Sequence, residues 1–343
     1  MVATVPVIEM HPLLFKPIYR RYIWGGRRFA SVLGRSLPPG EDFAESWELV
    51  DRTDDQSIVS VGPLAGTTLG QLVTDFGDAL LGKHAPRKSF PLLFKFLDAR
   101  HDLSVQVHPD DARAATLPNP DRGKTEAWYV IDAAPASRLY AGLLSNAELL
   151  QRAFPIGNKK EIFSAAVRAG RCEEMLHSFE ARTGDCIFIP AGTVHAIGSG
   201  LLVAEIQQSS DVTYRLHDWN RLGSDGRLRP LHIEAGLSAV TNTDPVDPVA
   251  ASATVDPALK RLVTNDYFLF DEVCPSAYWN IGGDNAFHFL AVLAGTVTLE
   301  EHWELPALTA GACVLLPASI GRQVLHAVTT NGLAPKLLHV SLP

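Results

Sequence analysis

Four polar side chains of this sequence could together hold a metal ion. Gln106 and His108 alternate along the strand-like segment SVQVHP, and residues i and i+2 of a strand point to the same face. Glu126 lies in a second strand-like segment, and His195 follows a third that ends in a Pro-Ala-Gly turn. Two imidazoles, a carboxylate and an amide oxygen suit zinc or another borderline divalent cation, with a position left for water or substrate.

Each of these side chains also has a common structural role. No HxH or HExxH motif fixes the spacing of the ligands. A histidine on a strand is often a hydrogen-bonded structural residue, and one that follows a turn is often part of that turn. The set gains weight because every member lies in or at the end of a strand, and small β-barrels place ligands from several strands at their mouth.

The chain that must position these groups is mostly β. It has 343 residues, of which 46% are hydrophobic and 20% charged, values typical of a globular protein with one large domain or two. Strand-like runs separated by turns fill most of it. Helical spacing appears over residues 67–83, with Thr67 or Thr68 as the N-cap, and over residues 145–178.

The charge and the absence of special segments exclude several classes of protein. The net charge of −8 argues against a general nucleic-acid binder, although it does not exclude a phosphorylated metabolite, which responds to local charge. No run of 18 apolar residues occurs and no signal-peptide pattern is present, so we expect no membrane association.

The cysteines indicate a reducing compartment. The four are scattered singly, and none lies in a CxxC pair that would indicate a zinc finger or a thiol redox motif. Single cysteines in a chain of this length are typical of cytosolic proteins, so we expect a cytoplasmic location. They are Cys172, Cys186, Cys274 and Cys313.

A short internal repeat indicates two copies of one β-unit. The segment GDCIFIPAGTVH at 184–195 aligns without a gap with GACVLLPASIGR at 311–322. His195 in the first copy corresponds to Arg322 in the second. We therefore expect the second copy to bind no metal and to pack against the first.

The segments that carry these residues closely resemble the type I phosphomannose isomerase family. The resemblance rests on FPLLFKFLDARHDLSVQVHPDD, on GKTEAWYVIDA, on GDCIFIPAGTVHAIGSGLLVAEIQQSSDVTYRLHDWNR and on the earlier IWGGRRF. The resemblance is close from about residue 13 to 240, and beyond that it is looser but compatible with the short bacterial form of the family. It implies a cupin fold, mainly β with helical insertions, built from two jelly-roll barrels. It also implies an enzyme that interconverts mannose 6-phosphate and fructose 6-phosphate with a bound zinc ion.

The resemblance and the repeat together predict a domain organisation. We expect a catalytic cupin domain over residues 1–241 and a second, metal-free barrel over residues 261–343. Residues 242–260, rich in Pro, Asp, Ala and Thr, are predicted to connect them.

Carried over by motif, the zinc ligands would be the same four side chains, Gln106, His108, Glu126 and His195. The resemblance also implies an active-site arginine, a lysine near the substrate and a serine at the phosphate end, which would be Arg215, Lys124 and Ser104. Arg215 could instead pair with a nearby aspartate, Asp211 or Asp218, and Lys124 could be a surface lysine.

The identity of the base stays open at this point. Isomerisation moves a proton between C1 and C2, so it needs a group that takes the proton and returns it on one face of a cis-enediol. A divalent metal would polarise the carbonyl, and an arginine would stabilise oxyanion charge or bind phosphate. Glu205 is a candidate base, with Lys124, His101 and metal-bound water as rivals. Glu205 could also be a buried structural carboxylate.

Three other functions are compatible with this sequence. It could be a non-catalytic cupin that senses a sugar phosphate, an isomerase for another sugar or, more remotely, a metal-dependent dioxygenase, because fold does not fix function. The predicted partner is a small sugar phosphate. The oligomeric state is open.

Overall fold

A computed structural model describes residues 9–152, 154, 157–223, 225–300, 302 and 304–343. In them the chain forms four antiparallel β-sheets, with helices in the connections. The α-helices are α1 (Arg28–Ser31), α2 (Leu69–Leu81), α3 (Asp111–Ala114), α4 (Asn146–Gln151), α5 (Lys159–Arg168) and α6 (Ile233–Ala239), and short 3₁₀ helices span Cys172–Met175 and Ala318–Ile320. This confirms the mainly β fold with helical insertions.

Two of the sheets come from the first two thirds of the chain. One has the strand order β1-β2-β3-β10-β5-β8 and the other the order β11-β4-β9-β6-β7. Their strands are β1 (Ile18–Arg20), β2 (Glu45–Leu49), β3 (Leu92–Ala99), β4 (Val105–Val107), β5 (Glu126–Ala133), β6 (Arg138–Leu143), β7 (Leu176–Glu180), β8 (Cys186–Ile189), β9 (His195–Ile197), β10 (Leu201–Gln208) and β11 (Tyr214–His217).

The other two sheets come from the last third. Their strands are β12 (Ser252–Ala253), β13 (Leu259–Thr264), β14 (Leu269–Val273), β15 (Tyr278–Ile281), β16 (His288–Ala294), β17 (Thr296–Leu299), β18 (Leu308–Thr309), β19 (Cys313–Leu316), β20 (Gln323–Val328) and β21 (Lys336–Ser341). The larger sheet has the order β12-β13-β14-β21-β16-β19 and the smaller the order β15-β20-β17-β18. The predicted connection at 242–260 contains β12 and the first residues of β13, and the domain boundaries stay a prediction.

The two larger sheets share one strand order. The run β3-β10-β5-β8 corresponds to β14-β21-β16-β19, and the two segments of the sequence repeat form the matching edge strands β8 and β19. The repeat found in the sequence therefore marks strands that hold equivalent places in the two halves.

The larger sheets pack against each other through one large apolar core. On β3 the even-numbered phenylalanines point into this core, and the Phe94 ring lies 4.9 Å from the ring of Phe289 on β16. Tyr129 on β5 donates a hydrogen bond of 2.5 Å to the Glu272 carboxylate on β14. Because strand side chains alternate, the odd-numbered residues of β3, including Lys95, point the other way, into the first half of the protein.

The helical insertions begin where local capping chemistry predicts. Thr68 caps α2 and Ser145 caps α4, each through a capping box with a residue three positions on. Asn158 caps α5, which buries Phe163 and Val167 against the five-stranded sheet and its surroundings. Among the described residues, none of the helices combines the length and the apolar character that a membrane crossing needs.

Candidate metal centre and active-site cleft

The predicted metal ligands converge between the two sheets of the first half. Gln106 on β4 is the direct partner of His195 on β9, and His108 follows the end of β4. Glu126, the first residue of β5, reaches them from the opposite sheet. The ligand atoms of His108, Glu126 and His195 all lie within 4.8 Å of one another.

Both histidines are oriented by backbone carbonyls. The His108 Nδ1 lies 2.8 Å from the Val212 carbonyl oxygen, and the His195 Nδ1 lies 2.9 Å from the Thr193 carbonyl oxygen. A carbonyl only accepts, so Nδ1 is the protonated nitrogen of each ring and Nε2 keeps a free lone pair. The two Nε2 atoms lie 3.5 and 3.4 Å from the two carboxylate oxygens of Glu126.

The electrostatics of this cluster fit a divalent cation. Glu126 is fully buried, and neither of its oxygens accepts a hydrogen bond from any described residue, although the Lys124 Nζ lies 3.1 Å from one of them. Burial, together with the charge of Glu205, raises the pKa of Glu126 to about 7. Burial lowers the pKa of His195 to about 4 and that of His108 well below its usual value, so both imidazoles are neutral. A bound cation would accept the free lone pairs of the two neutral imidazoles and would balance the charge of the buried carboxylate.

Gln106 completes the set through its amide. Its Nε2 lies 3.2 Å from the His195 Nε2, and the Ser104 hydroxyl lies 3.4 Å from its Oε1. A half-turn of the amide would bring Oε1 to the side of the imidazole nitrogens, where an oxygen ligand belongs. The four predicted ligands are thus neighbours in space, and their role as ligands stays a prediction.

A cleft of about 230 Å³ opens beside this cluster. All four of the other predicted site residues line it, namely Ser104, Lys124, Glu205 and Arg215. The structure adds three charged residues that the sequence did not single out, namely Glu45, Lys95 and Arg229, and it also places Asp211 in the lining. His101, a rival for the role of base, is exposed in the turn after β3 and is outside the residues that line the cleft.

A chain of buried charges crosses the floor of the cleft. The Glu205 Oε1 lies 3.2 Å from the Lys95 Nζ and 3.6 Å from the Lys124 Nζ, and Lys95 also lies 3.5 Å from Glu45. Trp128 donates a hydrogen bond of 3.2 Å to the other Glu205 oxygen. Burial alone would raise the pKa of Glu205, but Lys95 and Lys124 outweigh it and lower that pKa. Among the described residues, Glu205 is therefore held as a carboxylate by the two lysines, and not by backbone groups or by Arg215.

Arg215 presents an uncommitted cation to the cleft. One of its guanidinium nitrogens donates to the Pro230 carbonyl at 3.0 Å, while Nε is buried without a partner among the described residues. Within the described part of the chain it forms no ion pair with Asp211 or Asp218, the partners considered from sequence. Its charge is available to an anionic ligand.

In the second half of the protein, the positions equivalent to this site are occupied by histidines and an aspartate that hydrogen-bond to one another. In strand register His288 corresponds to Glu126, and the facing pair Asp271 and His339 corresponds to Lys95 and Glu205. The His288 Nδ1 lies 2.9 Å from the His339 Nε2, and the His339 Nδ1 lies 2.9 Å from Asp271. Asp284 accepts from the other nitrogen of His288 at 3.0 Å. These imidazoles are engaged with one another and with carboxylates.

The hydrogen-bonded groups around His288 make the free energy of unfolding depend on pH. Burial and the neighbouring His339 lower the pKa of His288 to about 4, with Asp284 opposing the shift. In the unfolded chain a histidine titrates near pH 6.5, so between about pH 6.5 and 4 the unfolded state binds more protons. The free energy of unfolding should therefore fall as the pH falls through this window, with a slope of up to about 1.4 kcal/mol per pH unit from this residue.

Urea unfolding from pH 7 to 4.5, in EDTA to keep the metal state constant, measures this slope. His288→Gln should flatten it, whereas His326→Gln, which removes a half-exposed imidazole on β20, should leave it unchanged. Equal slopes for the wild type and His288→Gln would show that His288 does not titrate as described.

Comparison with known proteins gives one consistent result. Residues 13–129 match the family model described as phosphomannose isomerase type I, catalytic domain. The chain is 35% identical over 320 residues to the probable mannose-6-phosphate isomerase GmuF of Bacillus subtilis, covering 91% of this chain and 95% of that protein. It is 32% identical to a mannose-6-phosphate isomerase of Streptococcus mutans, over 90% of this chain and 93% of the relative. The crystal structure of a mannose 6-phosphate isomerase from Bacillus subtilis superposes with a TM-score of 0.84 at 28% identity, covering 96% of this chain and 99% of that one.

Proposed function

The chain belongs to the type I phosphomannose isomerase family, and we propose that it interconverts mannose 6-phosphate and fructose 6-phosphate in the cleft beside Glu126. Membership makes it a metal-dependent aldose–ketose isomerase of cupin fold. The observation that carries the proposal for this cleft is the buried cluster of His108, Glu126 and His195, whose free nitrogen and oxygen atoms face one another beside the cations Lys124 and Arg215.

We propose zinc as the metal, held by Gln106, His108, Glu126 and His195. Imidazole nitrogens with carboxylate and amide oxygens are donors that zinc accepts, as do manganese and cobalt. An ion held by these four residues would supply Lewis acidity next to the sugar carbonyl.

Glu205 and Lys124 differ in the catalytic role that their surroundings allow. One Glu205 oxygen accepts a hydrogen bond from Trp128, the other faces two lysine ammonium groups at 3.2 and 3.6 Å, and the lowered pKa of Glu205 makes it a weak base. The Lys124 Nζ lies 3.1 Å from Glu126 and 3.3 Å from the His108 Nε2, which places it beside any substrate oxygen held at the ligands. We therefore propose that the Lys124 ammonium faces the substrate oxygens and stabilises the negative charge that develops on them, and that Glu205 is a positioning residue.

The phosphate of the substrate needs a cation among the residues that line the cleft. Arg215 is the best candidate because its guanidinium is not committed to an ion pair, and Ser104 supplies a hydroxyl on the same cleft wall. A local positive group of this kind explains how a chain with a net charge of −8 can bind an anionic sugar.

The test of this function is turnover by metal-loaded protein. Mannose 6-phosphate added to protein of verified zinc content should give fructose 6-phosphate, followed by a coupled assay. Binding of the sugar phosphate without turnover would point to the sensor function instead. Faster turnover of mannose than of mannose 6-phosphate would point to an isomerase for another sugar.

Replacement of Arg215 with alanine tests the site of the phosphate. Loss of a charge-assisted hydrogen bond costs about 1.5–3 kcal/mol, so kcat/KM for mannose 6-phosphate should fall on the order of 10- to 150-fold. The rate on unphosphorylated mannose should change little. The matched control is Arg227→Ala, which removes an exposed arginine from the same stretch of chain. An equal loss on both sugars would assign Arg215 to the reacting carbons instead.

We also propose a cytoplasmic location and a small sugar phosphate as the partner. The described cysteines are all free, and single free thiols are typical of a reducing compartment.

A further inference from the structure

A second group of metal-binding side chains lies where the helical insertion meets β11. Cys172 and Glu173 begin the 3₁₀ helix that follows α5, and His217 ends β11. One ligand atom from each of the three lies within 4.8 Å of those of the other two. These residues come from segments more than 40 positions apart in the sequence, so the fold alone brings them together.

The polar atoms of this group lack partners. The Glu173 Oε2 is buried and receives no hydrogen bond from any described residue, and its nearest cation-forming neighbour is the His217 Nε2 at 4.0 Å. The His217 side chain is nine-tenths buried, and its ring forms no hydrogen bond within the described part of the chain. The neighbouring Glu174 is bound by Arg171 through two hydrogen bonds of 2.6 Å, so it is not available as a ligand.

The third group of the cluster is the thiol of Cys172. Cys172 is buried, and burial together with the nearby Glu173 raises the pKa of its thiol to about 12. Within the described residues, this cluster thus holds a neutral thiol, a carboxylate oxygen that accepts no hydrogen bond and an imidazole that forms none. A divalent cation would satisfy all three groups at once.

We propose that Cys172, Glu173 and His217 form a second divalent-metal site, separate from the cluster around Glu126 and selective for zinc-like ions. Thiolate, imidazole and carboxylate are the donors of zinc sites, and three protein ligands leave the fourth tetrahedral position for water. Binding breaks the S–H bond of Cys172, forms a metal–sulfur bond and releases the proton to solvent.

Such an ion would tie two parts of the structure together. It would join the segment after α5 to β11, the strand that also carries Arg215 two residues before His217. Its role is therefore structural: it fixes the insertion against the strand that presents the cleft arginine.

Cobalt distinguishes the two sites in one protein. The catalytic cluster offers only nitrogen and oxygen donors, so a near-ultraviolet charge-transfer band from thiolate to Co²⁺ reports on the second site alone. We expect the wild-type protein, stripped and reloaded with Co²⁺, to bind two equivalents and to show this band. Cys172→Ser should bind one equivalent and lose the band. His217→Gln should lower both the amount of Co²⁺ bound at the second site and the intensity of the band.

Two controls keep the outcomes separable. Cys186→Ser removes another buried thiol, on β8, and should keep the band and both equivalents. His195→Ala should lose one equivalent and keep the band, which separates this site from the proposed catalytic one. A wild-type protein that binds one equivalent without a thiolate band, or a band that survives in Cys172→Ser, would overturn the proposal whatever the isomerase assay shows.

Discussion

Replacement of His195 with alanine is expected to abolish metal binding at the cleft and isomerase activity together. The imidazole is fully buried and its Nε2 faces the Glu126 carboxylate, so no water-exposed group can take its place as a ligand. Loss of the Lewis acid removes several kcal/mol of stabilisation from the enediolate, which corresponds to a fall in kcat of at least about 10³-fold. Metal analysis of gel-filtered protein and the coupled assay measure the two losses.

The internal repeat supplies a matched control for this change. Arg322 holds the place of His195 in the second half, where its guanidinium contacts Asn280. Arg322→Ala is expected to leave both the metal content and kcat at the wild-type level. If His195→Ala kept its catalytic metal, or kept its activity without metal, His195 would not be a ligand of the reacting centre.

The sequence could predict that these four side chains meet because each lies in a short segment with its own signal. Gln106 and His108 share one strand, and the register of β4 with β9 then places Gln106 directly opposite His195. The repeat predicted correctly which strands would be equivalent, because it covers β8 and β19 themselves. The predicted N-cap, Thr67 or Thr68, likewise agrees with the start of α2 after Thr68.

The charge chain could not be predicted in the same way, because its members become neighbours only through the sheet. Lys95 is the single charged residue in the run FPLLFKFL, which marks it as unusual. The carboxylates that stabilise it, Glu45 and Glu205, lie on the strands that flank β3 on either side. Only the strand order β2-β3-β10, which skips more than 100 positions of the chain, shows that a lysine there has partners.

This placement predicts a large effect for Lys95→Met. Lys95 is buried, and burial alone would lower its pKa, but Glu205 and Glu45 outweigh burial and raise that pKa. Methionine keeps the length of the side chain and removes the charge, which leaves two buried carboxylates without their shared cation. Breaking one side of a buried ion pair costs about 3–5 kcal/mol, so the urea midpoint of unfolding should fall markedly.

Two further variants show whether the charge, and not the packing, is responsible. Lys260→Met removes a lysine whose side chain is 60% exposed and lies 3.7 Å from Glu272, and it should cost no more than about 1 kcal/mol. Adding Glu205→Gln to Lys95→Met removes one of the stranded carboxylates and should restore part of the lost stability, which is the coupling that a double-mutant cycle detects. If the double variant were as unstable as the sum of the two single ones, Lys95 would be stabilising the protein by its packing, and the charges on the cleft floor would be independent of one another.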